Sequence, residues 1–373
     1  MHWVIDMRKV YYISATEADK NGTGIAYKIF KQMEIMRLNG LDVKEVSVYK
    51  KMSVVDKILS KFPFVNKRVN LTPLEKIEEF SVIYIRYFLI DFWIYFALKK
   101  LKQKNVKIII EFPTYPYDRE YKKFHPYILK DRIWRKYLNK LVNKCVTFSD
   151  DKKIYGIECI NISNGVDVKK IRKRHPKENM KDINMIAVAK FAPWHGYDRI
   201  IQGIANYYKK NDNTVLRKVK LYIVGYGDQK IEEVYRKKIY DNDLEDIVIL
   251  TGKKSGKELD YLYDHCNLAI DSLGRHRSQV KYNSSLKGKE YMAKGLPIVS
   301  GVCTELDTLE EYPYYYRVPA DDSPLDIMKI IDFCDGIYNN EDKETVALSI
   351  RECCEKYFDI NKCFDPVIDE LKS

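Results

Sequence analysis

Residues 283–301 read NSSLKGKEYMAKGLPIVSG. Small polar residues open the stretch as a loop, and those after them predict a helix over 286–294. Gly295 stands where a left-handed C-cap is wanted, Pro297 stops the helix, and Ile298-Val299 predicts a short buried strand. Lys287 and Glu290 are three residues apart, so they share one face, one turn from the helix N-terminus. A cation and a carboxylate side by side at the open end of a helix suit a nucleotide-sugar site. The carboxylate accepts hydrogen bonds from two ribose hydroxyls, while the lysine and the free backbone N–H groups face the diphosphate. An exposed Lys/Glu pair on an amphipathic helix would be spelled the same way. The stretch alone leaves both readings open.

Upstream of it, strand-like runs at 183–189, 219–224, 247–250 and 268–271 alternate with helical runs, about 30 residues per unit, which is the βαβ signature of a parallel sheet. The loops after these strands gather on one edge: KFAPWHG (190–196), GYGD (225–228), TGKKSG (251–256) and SLGRHRSQVKY (272–282). That edge collects Lys190, His195, Lys253, Arg275 and Lys281, and Gly225 opens its second loop as a candidate for close ligand approach. Asp241-Asn242-Asp243 imitates a D-x-D metal motif but precedes a strand, so it reads as a loop.

The first half opens with a strand at 10–14, the loop ATEADKNGTG and a helix over 24–38, followed by a strand at 43–48. Gly22 and Gly24 sit at the helix start, where a backbone could approach a phosphate or simply turn tightly. Residues 80–98 are the most apolar segment. Arg86 and Asp91 interrupt it, which argues for a buried strand at 82–85 and then a helix rather than a membrane span. The strand at 106–111 ends in EFPTYPYDRE, whose Tyr115, Tyr117 and Asp118 form a candidate acceptor wall, because open α/β sheets bind ligands at strand ends. Strands at 145–149 and 159–163 close this half. The turn Asn164-Gly165-Val166-Asp167 leads into VKKIRKRHPKEN, which reads as an interdomain linker. A final helix at 361–371 crosses back, giving domains of 1–167 with 356–373, and 168–355.

A chain of 373 residues with 46% hydrophobic content is globular and long enough for two domains. Charge is placed unevenly. Residues 1–165 hold 31 Lys and Arg against 18 Asp and Glu, leaving 34 against 35 beyond them. An anionic partner is therefore expected for the first half only. Within it, 49–68 (YKKMSVVDKILSKFPFVNKR) carries an apolar stripe of Val55, Ile58, Leu59 and Phe62, with Lys50, Lys57 and Lys61 on another face. It reads either as a helix lying on an anionic membrane surface or as one packed on its own domain. Eight cysteines without metal spacing, and an N-terminus without a signal-peptide run, suggest reduced thiols in a cytoplasmic protein, with a peripheral place on the inner face of the cell membrane left open by the 49–68 segment. No nucleic-acid motif accompanies the basic half.

Two α/β halves, an NGVD turn between them, KFAPWHG opening the second and KGKEYMAKGLPIVSG near its end together resemble the retaining GT-B glycosyltransferases of family 4. The likeness is strongest to the bacterial capsule and exopolysaccharide enzymes, whose K-x-x-E-Y-x-A-x-G-x-P run is matched by Lys287, Glu290, Tyr291, Ala293, Gly295 and Pro297. The resemblance implies two facing Rossmann-like domains with a cleft between them, the nucleotide sugar on the second domain, a glycan or lipid-linked acceptor on the first, and no metal. Glu290 matches the second glutamate of the family's E-x7-E motif, which holds the ribose. Tyr282 stands where the first glutamate is usual, leaving Ser284, Ser285 and the backbone N–H groups at Leu286 and Lys287 to meet the donor. The R-x4-K pair that grips the diphosphate falls on Lys190 and His195, and Pro113 replaces a histidine common among relatives. The implied activity is transfer of a sugar to a lipid-linked or growing polysaccharide. A GT-B epimerase and a non-catalytic partner subunit are the alternatives.

Overall fold

The structure is a computed structural model that describes residues 8–20, 24–118, 121, 124–177, 182–210, 217–310 and 312–373. Gly22 lies outside the described residues. The chain divides into two compact units, Met1–Ile162 with Phe364–Ser373, and Ser163–Cys363.

The first unit contains β1 (Lys9–Ser14), α1 (Ile25–Leu38), β2 (Asp42–Ser47), α2 (Val54–Leu59), β3 (Val82–Arg86), α3 (Phe92–Lys102), β4 (Lys107–Phe112), α4 (Pro126–Trp134), β5 (Lys144–Thr147), β6 (Lys153–Ile154) and β7 (Ile157–Asn161). Its sheet runs β2-β1-β3-β4-β5-β7-β6, parallel except where β6 meets β7. Helices on both faces bury the central strands completely, so β3 is buried at every position and is apolar in sequence up to its last residue. The two charges that interrupt 80–98 have structural work. Arg86 ends β3 in a buried ion pair with Glu111, and Asp91 caps α3 by accepting from the Ile94 N–H at 3.1 Å. Among the described residues no helix is long and apolar enough to cross a membrane.

The second unit contains β8 (Ile183–Phe191), α5 (Tyr197–Lys210), β9 (Val219–Gly227), α6 (Gln229–Tyr240), β10 (Val248–Gly252), α7 (Gly256–Asp264), β11 (Leu268–Ile270), α8 (Leu286–Lys294), β12 (Ile298–Ser300), β13 (Tyr315–Arg317), α9 (Ile327–Tyr338) and α10 (Lys343–Tyr357). Its sheet is β10-β9-β8-β11-β12-β13, with every pairing parallel. Helix α8 spans the predicted residues and ends on Gly295 at φ 81°. A Cβ there would also meet the Ala347 carbonyl oxygen at 2.5 Å, so both backbone conformation and packing require glycine.

The boundaries differ from those read in sequence. The Val166 N–H donates to Phe358 O at 3.0 Å and the Ile360 N–H donates to Val166 O at 3.0 Å, so the NGVD turn and residues 356–363 pair with each other inside the second unit. Helix α11 (Ile360–Lys372) starts there and finishes in the first unit. The charged stretch after the turn, read in sequence as an interdomain linker, lies inside the second unit. Arg174 is fully buried and donates to the carbonyls of Gly295 at 3.0 Å and Cys266 at 2.8 Å, closing the C-terminal end of α8 where a cation is favoured. Strand β9 also outruns its expected end, which takes Gly225 out of a loop.

Candidate functional site

Strand order reverses beside β8 in the second sheet, since the chain goes from β8 outward to β9 and β10, then returns to β11 on the other side. A crevice opens at the C-terminal ends of strands flanking such a reversal. The loops after β8 and β11 meet there. The Leu273 N–H donates to His195 O at 2.8 Å and the Gly274 N–H donates to Trp194 O at 3.2 Å. A Cβ on Gly196 would lie 2.6 Å from the Gly274 nitrogen, so this contact needs a bare backbone.

Helix α8 points its first turn at the same place. The Lys287 ammonium reaches His195 Nδ1 at 3.1 Å, Ser272 Oγ at 3.2 Å, Asp271 Oδ1 at 3.3 Å and the Tyr197 hydroxyl at 3.4 Å. Because an ammonium only donates, Nδ1 must accept; the imidazole proton is then on Nε2, which donates to the Lys190 carbonyl at 3.0 Å. Burial, followed by the charges of Lys287 and Arg275, pushes His195 down to about 2. It is a neutral ring with both nitrogens in use, stacked on Tyr197. It therefore orients Lys287 and carries no positive charge of its own, unlike the cation that the resemblance to a diphosphate-gripping pair implies at this position.

Burial alone would raise the Asp271 carboxyl. Lys287, the Ser285 hydroxyl at 2.9 Å and the Ser272 N–H outweigh that and hold it below the usual carboxylate range. Burial lowers Lys287, and Asp271 partly restores it. Lys190 is exposed at the end of β8, and its ammonium has no partner among the described residues. The site thus holds Lys190, Lys287 and Arg275 against a single buried carboxylate. The leading N–H groups of α8 also lack intrahelical acceptors, so the crevice favours an anion.

Glu290 lies one turn along α8 and makes no hydrogen bond or ion pair with any described residue. It keeps an exposed edge, yet the surrounding protein desolvates the carboxyl and pushes it up to about 6, with Lys287 and Lys294 opposing. A free, partly desolvated carboxylate next to a cationic crevice is an acceptor in want of donors.

The serines are otherwise engaged. Ser285 is the N-cap of α8, accepting from the Gly288 N–H at 3.2 Å while donating to Asp271. Ser284 accepts from the Asn164 N–H at 2.7 Å and donates to Glu305. Both are buried, so neither hydroxyl is free for a sugar as the sequence reading had it. Tyr282 forms an isolated bridge with Cys303, a lining residue of a cavity of about 930 Å³ that also includes Lys281 and Arg317 but none of Lys190, Lys287 and Glu290. Gly225 pairs with Ala189 inside the sheet at φ 143°, where a Cβ would fall 1.8 Å from the Ala189 oxygen. Its bareness serves strand packing. Leu286, half exposed, opens α8.

In the first unit the order reverses beside β1. A pocket of about 310 Å³ opens at that point between the ends of β1, β3 and β4, lined by Ser14, Arg86, Leu89, Pro113 and Tyr117 among others. Beneath it Glu111 is wholly buried, bonded to Arg86, to the Tyr84 hydroxyl at 2.7 Å and to Gln32 at 2.5 Å. The Tyr117 hydroxyl is held by buried Asp131 at 2.7 Å, and Asp118 by Arg132 at 2.8 Å. Tyr115 packs edge-on against Tyr155 and does not line the pocket. Gly24, at φ 61°, precedes α1 with open space around it. Sequence reading missed Asp271, Ser272 and Tyr197 in one unit and Arg86 with Glu111 in the other. A lone acidic residue closing an apolar strand is the signal that Asp271 and Glu111 share. Among the described residues no group of three or more His, Cys, Asp or Glu is placed to hold a metal ion.

Residues 167–305 match the family model described as "Glycosyl transferases group 1". No curated protein matches the chain. Solved structures similar over nearly its whole length include HepE of Anabaena in complex with UDP, at 13% identity, a TM-score of 0.63 and coverage of 98% of this chain and 100% of that one. Sucrose-phosphate synthase of Thermosynechococcus elongatus matches at 14% identity and a TM-score of 0.61, covering 98% and 97%. The apo form of the lipopolysaccharide outer core galactosyltransferase WaaB matches at 13% and 0.58, covering 97% and 99%. The fold is the two-domain, Rossmann-like GT-B architecture.

Proposed function

We propose that this chain is a glycosyltransferase that takes a sugar from a nucleotide-sugar donor and passes it, with retention and without a metal, to a lipid-linked or growing polysaccharide acceptor in bacterial surface-glycan synthesis. The observation that carries the reading is the cationic cluster of the second unit, Lys287 near Arg275 with exposed Lys190 at the end of β8, and the unpartnered Glu290 one turn along α8. The matched segment 167–305 contains all of it, and HepE, of the same fold, has UDP bound.

In this reading Glu290 accepts from the two ribose hydroxyls, and the diphosphate lies against Lys287, Lys190 and the N-terminus of α8. As the glycosidic bond breaks, negative charge grows on the leaving diphosphate. Donors already fixed toward it lower the barrier without reorganising. The leaving phosphate then helps deprotonate the acceptor hydroxyl on the same face, so no carboxylate nucleophile is needed. The acceptor occupies the 310 Å³ pocket of the first unit.

Calorimetry with nucleoside diphosphates and nucleotide sugars tests the donor half. Micromolar binding that falls roughly a hundredfold in Glu290→Ala, about 3 kcal/mol for a charged acceptor lost from two hydroxyls, is expected. Binding equal in the variant removes the ribose role. Donor turnover without any acceptor would favour an epimerase, and binding without turnover on any acceptor a partner subunit.

A further inference from the structure

We propose that the first unit docks on an anionic lipid bilayer through an aromatic surface that extends well beyond the amphipathic segment 49–68. Within that segment the helix is only α2, and none of its residues is buried. Val55 is 63% exposed and Ile58 53%. Packing of this helix on its own domain is thereby removed as the explanation of its apolar stripe. The residues that follow fasten it to α3 and α4. Trp93 Nε1 donates to Phe64 O at 2.5 Å, the Phe64 and Phe92 rings meet edge-on at 5.3 Å, and Lys130 Nζ donates to Ser60 O at 2.8 Å. Phe64, Trp93 and Ile133 line one small pocket. Phe64 is 64% exposed and Trp93 47%, with Phe96, Phe62 and Ile133 also open. Apolar patches of this kind mark interaction sites.

Charge selects the occupant. Segment 49–68 holds six Lys or Arg and a single acidic residue, Asp56, which is committed to capping α2 through Ser53 and to Lys50 at 3.7 Å. Lys57 and Lys61 are exposed on the same segment as Phe62 and Phe64, and the Lys99 ammonium lies 5.7 Å from the Phe96 ring. Basic side chains rimming exposed Trp and Phe match the headgroup region of an anionic leaflet, whose phosphates meet the lysines while the rings enter the acyl boundary. The docking does not rest on the transferase reading.

The test is sedimentation of the full chain with vesicles of phosphatidylglycerol and phosphatidylcholine, against phosphatidylcholine alone, with UDP affinity measured on the same samples. Binding to the anionic vesicles is expected, weakened by salt and accompanied by a blue shift of tryptophan emission that Trp93→Phe abolishes. Lys57→Ser with Lys61→Ser is expected to lower partitioning roughly 25-fold. Val55→Ser with Ile58→Ser, on a helix that buries nothing, lowers it without disturbing the fold. No binding, or wild-type binding by both double variants, overturns the docking. So does a dimer in light scattering that Val55→Ser with Ile58→Ser dissociates, because the face would then belong to a second copy. Vesicle binding without UDP binding leaves the docking standing and sinks the transferase reading alone.

Discussion

Replacing Lys287 by Met separates what this residue does for folding from what it does for a ligand. Its ammonium stands 3.3 Å from Asp271, whose side chain is 1% exposed against 20% for the lysine. Removing one member of a buried pair strands the other, at about 3–5 kcal/mol. With the lysine partly open to water the lower figure applies, about 3 kcal/mol, or roughly 6–12 °C in Tm for a unit of this size. The loss depends on pH with a definite sign. The Asp271 carboxyl is held below its usual range, so its contribution is present above the unfolded value and disappears as pH falls through the folded one. The gap between wild type and Lys287→Met should close below about pH 4. The double variant Asp271→Asn, Lys287→Met leaves no buried charge and should recover most of the stability. It should not recover nucleotide affinity, which falls about 10- to 100-fold in both variants through loss of a charge-assisted bond. Differential scanning calorimetry and titration with UDP on the two proteins decide it. A double variant as unstable as the single one, or one that binds UDP like wild type, would refute the assignment.

The remaining expectations concern neighbouring residues. Glu290→Gln should abolish a loss of nucleotide affinity that wild type shows as pH falls below about 6, because only the carboxylate accepts from both hydroxyls; titrations from pH 5 to 8 check this. The same raised value means that the folded state holds this proton more tightly than the unfolded one. Its stabilising contribution is therefore complete below about 4.5 and lost as pH rises through 6, so Glu290→Gln should melt higher than wild type at pH 8. His195 should show no imidazole titration by NMR between pH 5 and 8, since it is pushed down to about 2. Ser284→Ala should cost about 1–3 kcal/mol by leaving the Asn164 N–H without its acceptor. Its donor KM should stay unchanged, and a raised KM with unchanged Tm would return the residue to the sugar.

What was legible in the sequence is what local rules control. Helix α8 could be bounded to the residue because its start, its left-handed glycine and its proline all lie within one short stretch. The alternation of strands and helices gave both sheets. The site's inner wiring was hidden because its partners come from distant segments: His195 and Lys287 are 92 residues apart, and Ser284 and Asn164 are 120 apart. A serine spelled in a loop looks free until the fold supplies a partner, and a histidine looks titratable until its burial is known. Gly225 misled for a related reason. Glycine signals a turn when only its own neighbours are considered, whereas here the adjacent strand's carbonyl leaves no room for a side chain.

The four neighbours around the Lys287 nitrogen all stand at 3.1–3.4 Å, longer than the roughly 2.9 Å preferred by such contacts. Four acceptors share three protons, so none is held tightly. The long side chain's freedom, roughly 2 kcal/mol of rotamer entropy, is already surrendered when the polypeptide folds. In the proposed donor site, an arriving phosphate would meet a charge that is aimed but only loosely tethered, and would take over one proton without dismantling the arrangement that holds it.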